Sequence, residues 1–585
     1  MNMALKNNFL DVFLSFNLWK YISNKRKRQL GFLSILIIIS GISEIFTLTS
    51  IAPFLEILAN PQSKIENNIL RNIYDLQFSF LSLDKLTFML IVFLLFLTLS
   101  ALIRLLILYL NDFISALIGN ELGVKTFSSF LYRPYEFHLE NNTSKMISLI
   151  VTKIDSAIDS IRSIINIICS AIILISIFTT LIGINIFITT ATLASILLFY
   201  LLLALILRKR LGVISKKRSF LIRSQTQSIQ EGLGFIRDII IDNCQNYFLK
   251  IFTFNDRSLR IIDARSYFIA GSPKYILEVL GIIFLLVTSI LYKENIGNEL
   301  SIIPLLGSIA FGMQRILPVI QQIYSSFVIL STNKDSILDL VEILKHTGKS
   351  QEFINASSRK ILKFEEEISL EKISFKYSNN PKYIIENLNL NIKKGSVLGI
   401  IGKSGSGKST LIDIIMGLIK PQKGSVKVDG VELLFGENGN TKQWFPRISH
   451  VPQEIFISDN SIQENIAFGI NKDSIDNAQL LKAIKNSQLD SLIRNTKYGL
   501  NMYVGERGAL LSGGQKQRIG FARALYKGGD LLILDEFTSA LDVKTEESLI
   551  ETIKNLKRQV TIIIVSHKKS LLGFCDEIIE LESNC

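Results

Sequence analysis

Apolar runs as long as a bilayer is thick constrain this chain more than any other feature of it. A membrane-crossing helix needs about 20 mostly apolar residues. Runs of that kind fall at residues 30–55, 86–110, 164–181, 184–207, 273–292 and 302–330. Lipid offers the backbone no hydrogen-bond partner, so such runs must satisfy their own amides and read as helices. The count predicts six spans, the third and fourth joined by a tight turn near Gly183. Apolar residues make up 48% of the 585, with 37 Phe against 2 Trp, and this excess fades near residue 330. From residue 361 the pattern alternates as in a globular domain.

The formal charge of +13 raises nucleic acid as a partner. Membrane proteins, however, collect Lys and Arg in their cytoplasmic loops, and the basic residues here sit beside the spans. Lys25, Arg26, Lys27 and Arg28 precede the first span; Arg208, Lys209, Arg210, Lys216, Lys217 and Arg218 follow the fourth. Both places read as cytoplasmic, so no nucleic-acid partner is expected and the N-terminus lies inside. The polar stretches 111–163 and 208–270 then fall on the cytoplasmic side, and their helical spacing predicts that the spanning helices continue beyond the bilayer. The loop 60–85 falls outside; its segment 65–76 reads either as a short surface helix or as plain loop. Cys169, Cys244, Cys575 and Cys585 share no metal-type spacing. The first apolar run is long and lacks a small-residue cleavage site, so no cleavable signal peptide is expected. The expected organisation is an all-α six-helix transmembrane domain (1–340), a polar linker (341–360) and an α/β P-loop nucleotide-binding domain (361–585).

Gly402, Lys403, Ser404, Gly405, Ser406, Gly407, Lys408 and Ser409 fit the phosphate-binding loop G-x-x-x-x-G-K-[ST]. An apolar strand, 397–401, precedes it and a helix beginning with Thr410 follows, which is the context the loop needs. Its glycines let amides close around phosphates at a helix N-terminus. Lys408 is placed to reach the β- and γ-phosphates, and the Ser409 hydroxyl to ligate Mg²⁺. Residues 531–536 form an apolar strand ending in two acids. Asp535 suits a Mg²⁺ shell, and Glu536 suits a base that polarises an attacking water.

Between these lies Leu511-Ser512-Gly513-Gly514-Gln515. With that string in that order, the chain resembles the ABC transporter superfamily along nearly all its length. The resemblance implies that Ser512, Gly513, Gly514 and Gln515 bind the γ-phosphate of ATP held by another subunit's phosphate loop, so that two cassettes work head to tail. It further implies adenine stacking by Tyr377, with Tyr383 as the alternative. Gln453 is implied at Mg²⁺ and water, residues 539–542 in communication across the dimer, and His567 at the γ-phosphate. Residues 503–508 resemble an exporter-specific segment. Lys408, Glu536, Ser512 and His567 are all present, which points to a homodimer with two working sites using ATP and Mg²⁺. Residues 138–145 and 236–243 are the expected coupling segments.

In the membrane half, residues 43–46 and 52–54, 272–278 and 315–318 resemble the PglK-type flippases of lipid-linked oligosaccharides. This implies a bacterial inner-membrane protein that flips or exports an amphipathic, polyprenyl-diphosphate-linked substrate. Lys274, Arg315 and Arg104 are the candidate cations for its headgroup; the alternative is that they snorkel near span ends. Glu44 has no partner assignable from sequence. Export of lipid, drug or peptide is the alternative cargo. A non-transport ATPase of the same superfamily is the remaining reading, and the six apolar spans oppose it.

Overall fold

The computed structural model describes residues 16–59, 84–184, 186–279, 281–283, 302–345, 361–377, 381–436, 439–566 and 568–582. The outer-loop segment 65–76, the end of the fifth expected span and His567 therefore lie outside the described residues. By internal contacts the chain forms two units, Met1–Tyr132 with Asn141–Ser350, and Arg133–Glu140 with Gln351–Cys585.

Among its described residues the first unit has helices as its regular structure, joined by short turns. Its principal helices are α1 (Asn24–Ala59), α2 (Lys85–Leu131), α4 (Ile154–Ile184), α5 (Ile186–Gly234), α6 (Ile236–Ile241), α7 (Gln245–Gly271) and α8 (Ile302–Leu344); the short α3 (Tyr135–Glu140) belongs to the second unit. Three described stretches, Asn24–Leu58, Lys85–Leu131 and Thr143–Gly183, are long and apolar enough to cross a membrane; Ala194–Leu207 is a shorter apolar stretch. Helices α2 and α5, of 47 and 49 residues, far exceed the length a bilayer needs.

The radial distribution of side chains decides the solvent. On α1 the outward face carries Phe32, Ile35, Ile38, Ile42 and Phe46, each about half exposed, whereas Ser40, Ser43, Glu44, Thr47 and Ser50 are buried. A helix folded for water would show the reverse. Helix α2 repeats the pattern, exposing Leu95, Leu102 and Leu105 while burying Ser100, Asn111 and Ser115. Without a hydrophobic drive between helices, small residues and polar pairs must hold such a bundle. A Cβ on Gly119 would lie 2.2 Å from the Ile158 side chain, and Asn111 Nδ2 donates to Asn166 Oδ1 at 2.8 Å.

The second unit contains two sheets. Strands β1 (Glu367–Phe375), β2 (Ile385–Lys393), β4 (Lys423–Val428) and β5 (Val431–Glu432) form an antiparallel sheet in the order β2-β1-β4-β5. Strands β3 (Val397–Gly402), β6 (Ile448–Val451), β7 (Leu531–Asp535), β8 (Thr561–Val565) and β9 (Glu577–Leu581) form a parallel sheet in the order β6-β7-β8-β3-β9. All five β8 residues and the first four of β7 are buried, the continuous apolar runs of strands covered on both faces. The antiparallel sheet adds a layer to the alternating α/β pattern expected from sequence. Helices α9 (Lys408–Met416), α10 (Ile462–Ile466), α11 (Asn477–Asn486), α12 (Gly513–Lys527) and α13 (Val543–Leu556), with several shorter ones, pack with the sheets.

Candidate functional site

The phosphate loop leaves the C-terminal end of β3 and enters α9, in the crevice where open α/β sheets bind ligands. Backbone crowding explains its glycines. A Cβ at Gly402 would lie 2.6 Å from the Leu581 carbonyl oxygen, and one at Gly407, where φ is +92°, would lie 2.7 Å from Ile384 Cγ2. Lys408 folds back over the loop, its ammonium donating to the carbonyls of Gly402 (2.7 Å) and Lys403 (3.0 Å). The Ser406 hydroxyl is buried with no hydrogen-bond partner among the described residues. Ser409 is exposed at the start of the helix. An amide-lined turn, an ammonium and a helix N-terminus together favour an anion.

Asp535 ends β7, and Glu536 follows it with a positive φ of 43°, a sparsely populated conformation for a residue other than glycine. The Glu536 amide donates to the Val565 carbonyl at 3.0 Å, which fixes this turn against β8. Gln453 Nε2 donates to Glu536 Oε2 at 2.8 Å, so the structure brings these two expected residues together. Burial raises the Asp535 carboxyl above the usual range and Glu536 raises it further, against the pull of Lys408. Burial and Asp535 push Asp413, on α9, up to about 6. The crowding of Asp413, Asp535 and Glu536 would be relieved by a cation, and the Ser409 hydroxyl, the Asp535 carboxylate and the Gln453 amide are hard oxygen donors suited to Mg²⁺. Among the described residues no three His, Cys, Asp or Glu side chains group as a metal cage. Mg²⁺ is commonly held by one or two carboxylates together with substrate phosphates.

Tyr377 lies edge-on to Phe375, with centroids 5.1 Å apart, and its hydroxyl is 3.2 Å from Thr410 Oγ1. It therefore stands beside the phosphate-loop helix. The ring of the alternative, Tyr383, has the Lys376 and Lys423 ammonium groups at 5.5 and 5.6 Å from its centroid.

Ser512 caps α12 in a capping box. Its hydroxyl accepts from the Gln515 amide, and Gln515 Oε1 accepts from the Ser512 amide at 2.8 Å. In a single chain the Gln515 side chain is thus engaged by its own helix, while Ser512 and Gly513 are exposed. A Cβ on Gly514 would meet the Ala540 carbonyl oxygen at 2.9 Å, so segment 539–542 packs directly on the signature turn. Gln517, which the sequence reading did not single out, makes this junction. Its amide donates to Ser539 Oγ at 2.8 Å and accepts from the Ala540 amide at 3.0 Å. Segment 503–508 docks on the same helix, Lys516 donating to the Arg507 carbonyl at 2.8 Å.

Helix α3 contributes from outside the cassette sequence. Glu136 Oε1 accepts the Lys420 amide at 3.0 Å. The Tyr135 hydroxyl is raised above its ordinary pKa by burial and then by Asp413 and Tyr377. The Glu136 contact lies just before residues 138–145, the first expected coupling segment. The second forms α6, with Ile236, Ile240 and Ile241 exposed.

The three membrane candidates do not form one site. Glu44 is fully buried and pairs with Arg104, with Arg315 at 3.5 Å, and accepts from Ser100 Oγ at 3.0 Å. Arg104 and Arg315 are therefore not free cations, and Glu44 has the partners that sequence could not assign, because α1, α2 and α8 meet only in the fold. Lys274 pairs instead with Glu278, 3.8 Å away on its own helix face, both about half exposed.

The sequence pattern of the ABC transporter family matches residues 385–539. The chain is 31% identical over 264 residues to a probable ABC transporter ATP-binding/permease protein of Haemophilus influenzae, covering 44% of this chain and 47% of that one. It is 34% identical over 290 residues to the leukotoxin export ATP-binding protein LtxB of Aggregatibacter actinomycetemcomitans (49% and 39% covered). It is 31% identical over 215 residues to the ATP-dependent lipid A-core flippase of Pasteurella multocida (37% and 36%). The chain spans less than half the length of these curated relatives in the matched regions. A bacterial Atm1-family ABC exporter with ATP bound superposes with a TM-score of 0.74 at 19% identity, covering 96% of this chain and 95% of the other. The chain carries an ABC transporter ATP-binding domain and has the fold of an exporter-type half-transporter.

Proposed function

We propose that two copies of this chain form an ATP-hydrolysing exporter of the bacterial inner membrane, its ATPase domains cytoplasmic, that moves an amphipathic, polyprenyl-diphosphate-linked oligosaccharide between leaflets. One observation carries the reading. A helical unit with a polar interior and an apolar skin continues, in the same chain, into a phosphate loop whose Lys408 acts electrostatically on the Asp535–Glu536 strand end.

In this reading the loop amides and Lys408 hold the phosphates of ATP, with Tyr377 against the adenine. Ser409, Asp535 and Gln453 would hold Mg²⁺, which would offset charge on the phosphates. Glu536 accepts the proton of the attacking water, and His567 contacts the γ-phosphate. Ser512, Gly513 and Gly514 of one copy close over the phosphate loop of the other. Helices α3 and α6 are the expected coupling elements, α6 through its exposed isoleucines.

The cargo rests on the Glu44 cluster. One carboxylate faces two guanidinium groups, which leaves a positive excess in the membrane half, and Arg suits phosphate because its fork pairs two oxygens. Named relatives that flip lipid A-core or export leukotoxins keep other amphipathic cargo as the second reading. The test is ATP-dependent movement of a fluorescent polyprenyl-diphosphate glycan in proteoliposomes, against the Glu536→Gln variant. Movement by the native protein alone is expected. ATP-driven movement of other amphiphiles without this lipid would overturn the cargo and spare the transporter.

A further inference from the structure

A groove in the helical unit is lined by none of the residues of the Glu44 cluster. Helices α5 and α7, with Ser272, Pro273 and Ile276 just beyond α7 and Tyr324 of α8, line this groove of about 1040 Å³. Its wall is apolar, formed by residues such as Leu207, Val213, Ile262 and Phe268. Val213 and Phe268 are 67% and 72% exposed, a large apolar surface left open. At the groove's rim stand four cations, Lys209, Arg210, Lys217 and Arg265, with no carboxylate among the lining residues. The neighbouring Arg218 shows the contrast, since Asp263 neutralises it at 2.7 Å. Among the described residues, none of the four rim cations has an ion-pair partner.

A further observation points to a ligand. Tyr324 lines the groove from α8, is only 4% exposed, and its buried hydroxyl has no hydrogen-bond partner among the described residues. An orphaned buried hydroxyl is costly unless something polar reaches it. The groove's position along α5 fits the same ligand. The apolar stretch Ala194–Leu207 ends where Lys209 and Arg210 begin, the change of composition that marks a membrane–water boundary. Tyr267, exposed beside Phe268 on α7, adds an aromatic ring at that level.

We propose that this groove binds an anionic phospholipid of the cytoplasmic leaflet. Its acyl chain lies along the apolar wall, its phosphate sits on the four rim cations, and a polar headgroup or ester oxygen reaches the Tyr324 hydroxyl. Charge complementarity selects this occupant, because four unpaired cations over an apolar trough match a lipid that is anionic at one end and apolar at the other. A soluble anion would leave the trough empty, and a zwitterionic lipid would leave the cations uncompensated. The site is independent of the cargo, because it needs only that the helices lie in a membrane.

The test uses the full-length protein in nanodiscs of phosphatidylcholine, titrated with a photoactivatable phosphatidylglycerol, and maps the crosslinked peptides. Crosslinking should fall on 203–217 and 261–276 and saturate. Changing Lys209, Arg210, Lys217 and Arg265 together to Gln should weaken capture at least tenfold, since each cation near an anionic lipid is worth about a fivefold factor. Val213→Trp fills the trough and keeps every cation; it should also abolish saturable capture, whereas a purely electrostatic surface would not respond. Tyr324→Phe should weaken capture severalfold. Basal ATP turnover in phosphatidylcholine alone and the melting midpoint should be unchanged in Val213→Trp, which separates loss of the site from loss of fold. Capture that survives the four-Gln variant, or that Val213→Trp leaves intact, overturns the proposal. So does equal capture of photoactivatable phosphatidylcholine. Saturable capture at these peptides of the polyprenyl-diphosphate lipid with none of phosphatidylglycerol would reassign the groove to the cargo and equally overturn it.

Discussion

Glu44→Gln is the most informative single change in the membrane half. The native carboxylate is wholly buried and accounts for one of three charges in its cluster; Arg104 and Arg315 supply the others. Gln keeps the shape and a hydrogen bond for Ser100 but leaves two guanidinium groups facing each other with no counter-ion. Removing one partner of a buried ion pair costs about 3–5 kcal/mol. The arginine side chains keep 32% and 21% of their surface exposed, so water screens them and the low end applies, about 3 kcal/mol. With an unfolding entropy of about 2.1 cal/mol/K per residue over the roughly 340 residues of the helical unit, this lowers the melting midpoint by about 4 °C. Arg315→Gln is the control. It removes the longer contact and leaves Glu44 with Arg104 and Ser100, so its cost is that of a screened pair, about 1 kcal/mol or less. Glu44→Gln with Arg104→Gln restores the native net charge of the cluster and should recover part of the loss. The assay is thermal unfolding of purified protein in nanodiscs, followed by tryptophan fluorescence or aggregation. Equal midpoints for Glu44→Gln and Arg315→Gln, or no recovery in the double variant, would refute the shared-carboxylate account.

Two further predictions concern the cassette. Burial and Asp535 raise Asp413 from 3.8 to about 6, so the native state binds its proton more tightly than the unfolded chain. The ionised form then destabilises the fold fully above about pH 6, and this cost fades as pH falls from about 6 towards 3.8. Asp413→Asn should therefore melt higher than native protein at pH 7.5 without nucleotide or Mg²⁺, and the two midpoints should converge towards pH 4; a gap that widens on acidification would contradict this. Gln517→Ala removes two hydrogen bonds at the junction between the signature turn and segment 539–542, at a cost of about 1–3 kcal/mol. It should slow ATP turnover while leaving binding of a fluorescent ATP analogue at the phosphate loop unchanged, and normal turnover would show that the junction does not matter.

The cassette was legible in sequence because its chemistry is local. A phosphate loop needs consecutive residues between a strand and a helix, and Gly402, Gly407 and Lys408 carry the whole geometry within a few positions. The polar interior of the helical unit was partly legible as isolated Ser, Thr and Glu within apolar runs. Its partners were not, because Glu44 meets Arg104 and Arg315 from helices separated by 60 or more residues. From sequence Arg104 and Arg315 therefore read as separate cations, whereas in the fold both face one carboxylate. Gln517 and Asp413 escaped notice for a related reason. Each looks like an ordinary residue of a helix, and only the segment folded against that helix gives it a role. The antiparallel sheet was hidden by strands whose order in space, β2-β1-β4-β5, does not follow their order in the chain.

The central claim is that two copies of the chain share composite ATP sites, each built from the phosphate loop of one copy and the signature turn of the other. Subunit complementation tests it most directly. Lys408→Ala should abolish turnover, and so should Ser512→Glu, which places a carboxylate where a phosphate would bind. Differently tagged Lys408→Ala and Ser512→Glu chains, co-expressed and isolated by sequential affinity steps, would give dimers with one site carrying both changes and one site intact. The account predicts measurable ATP turnover in these mixed dimers and none in either parent. Mixed dimers as inactive as their parents, with nucleotide bound only by the Ser512→Glu chain, would contradict it.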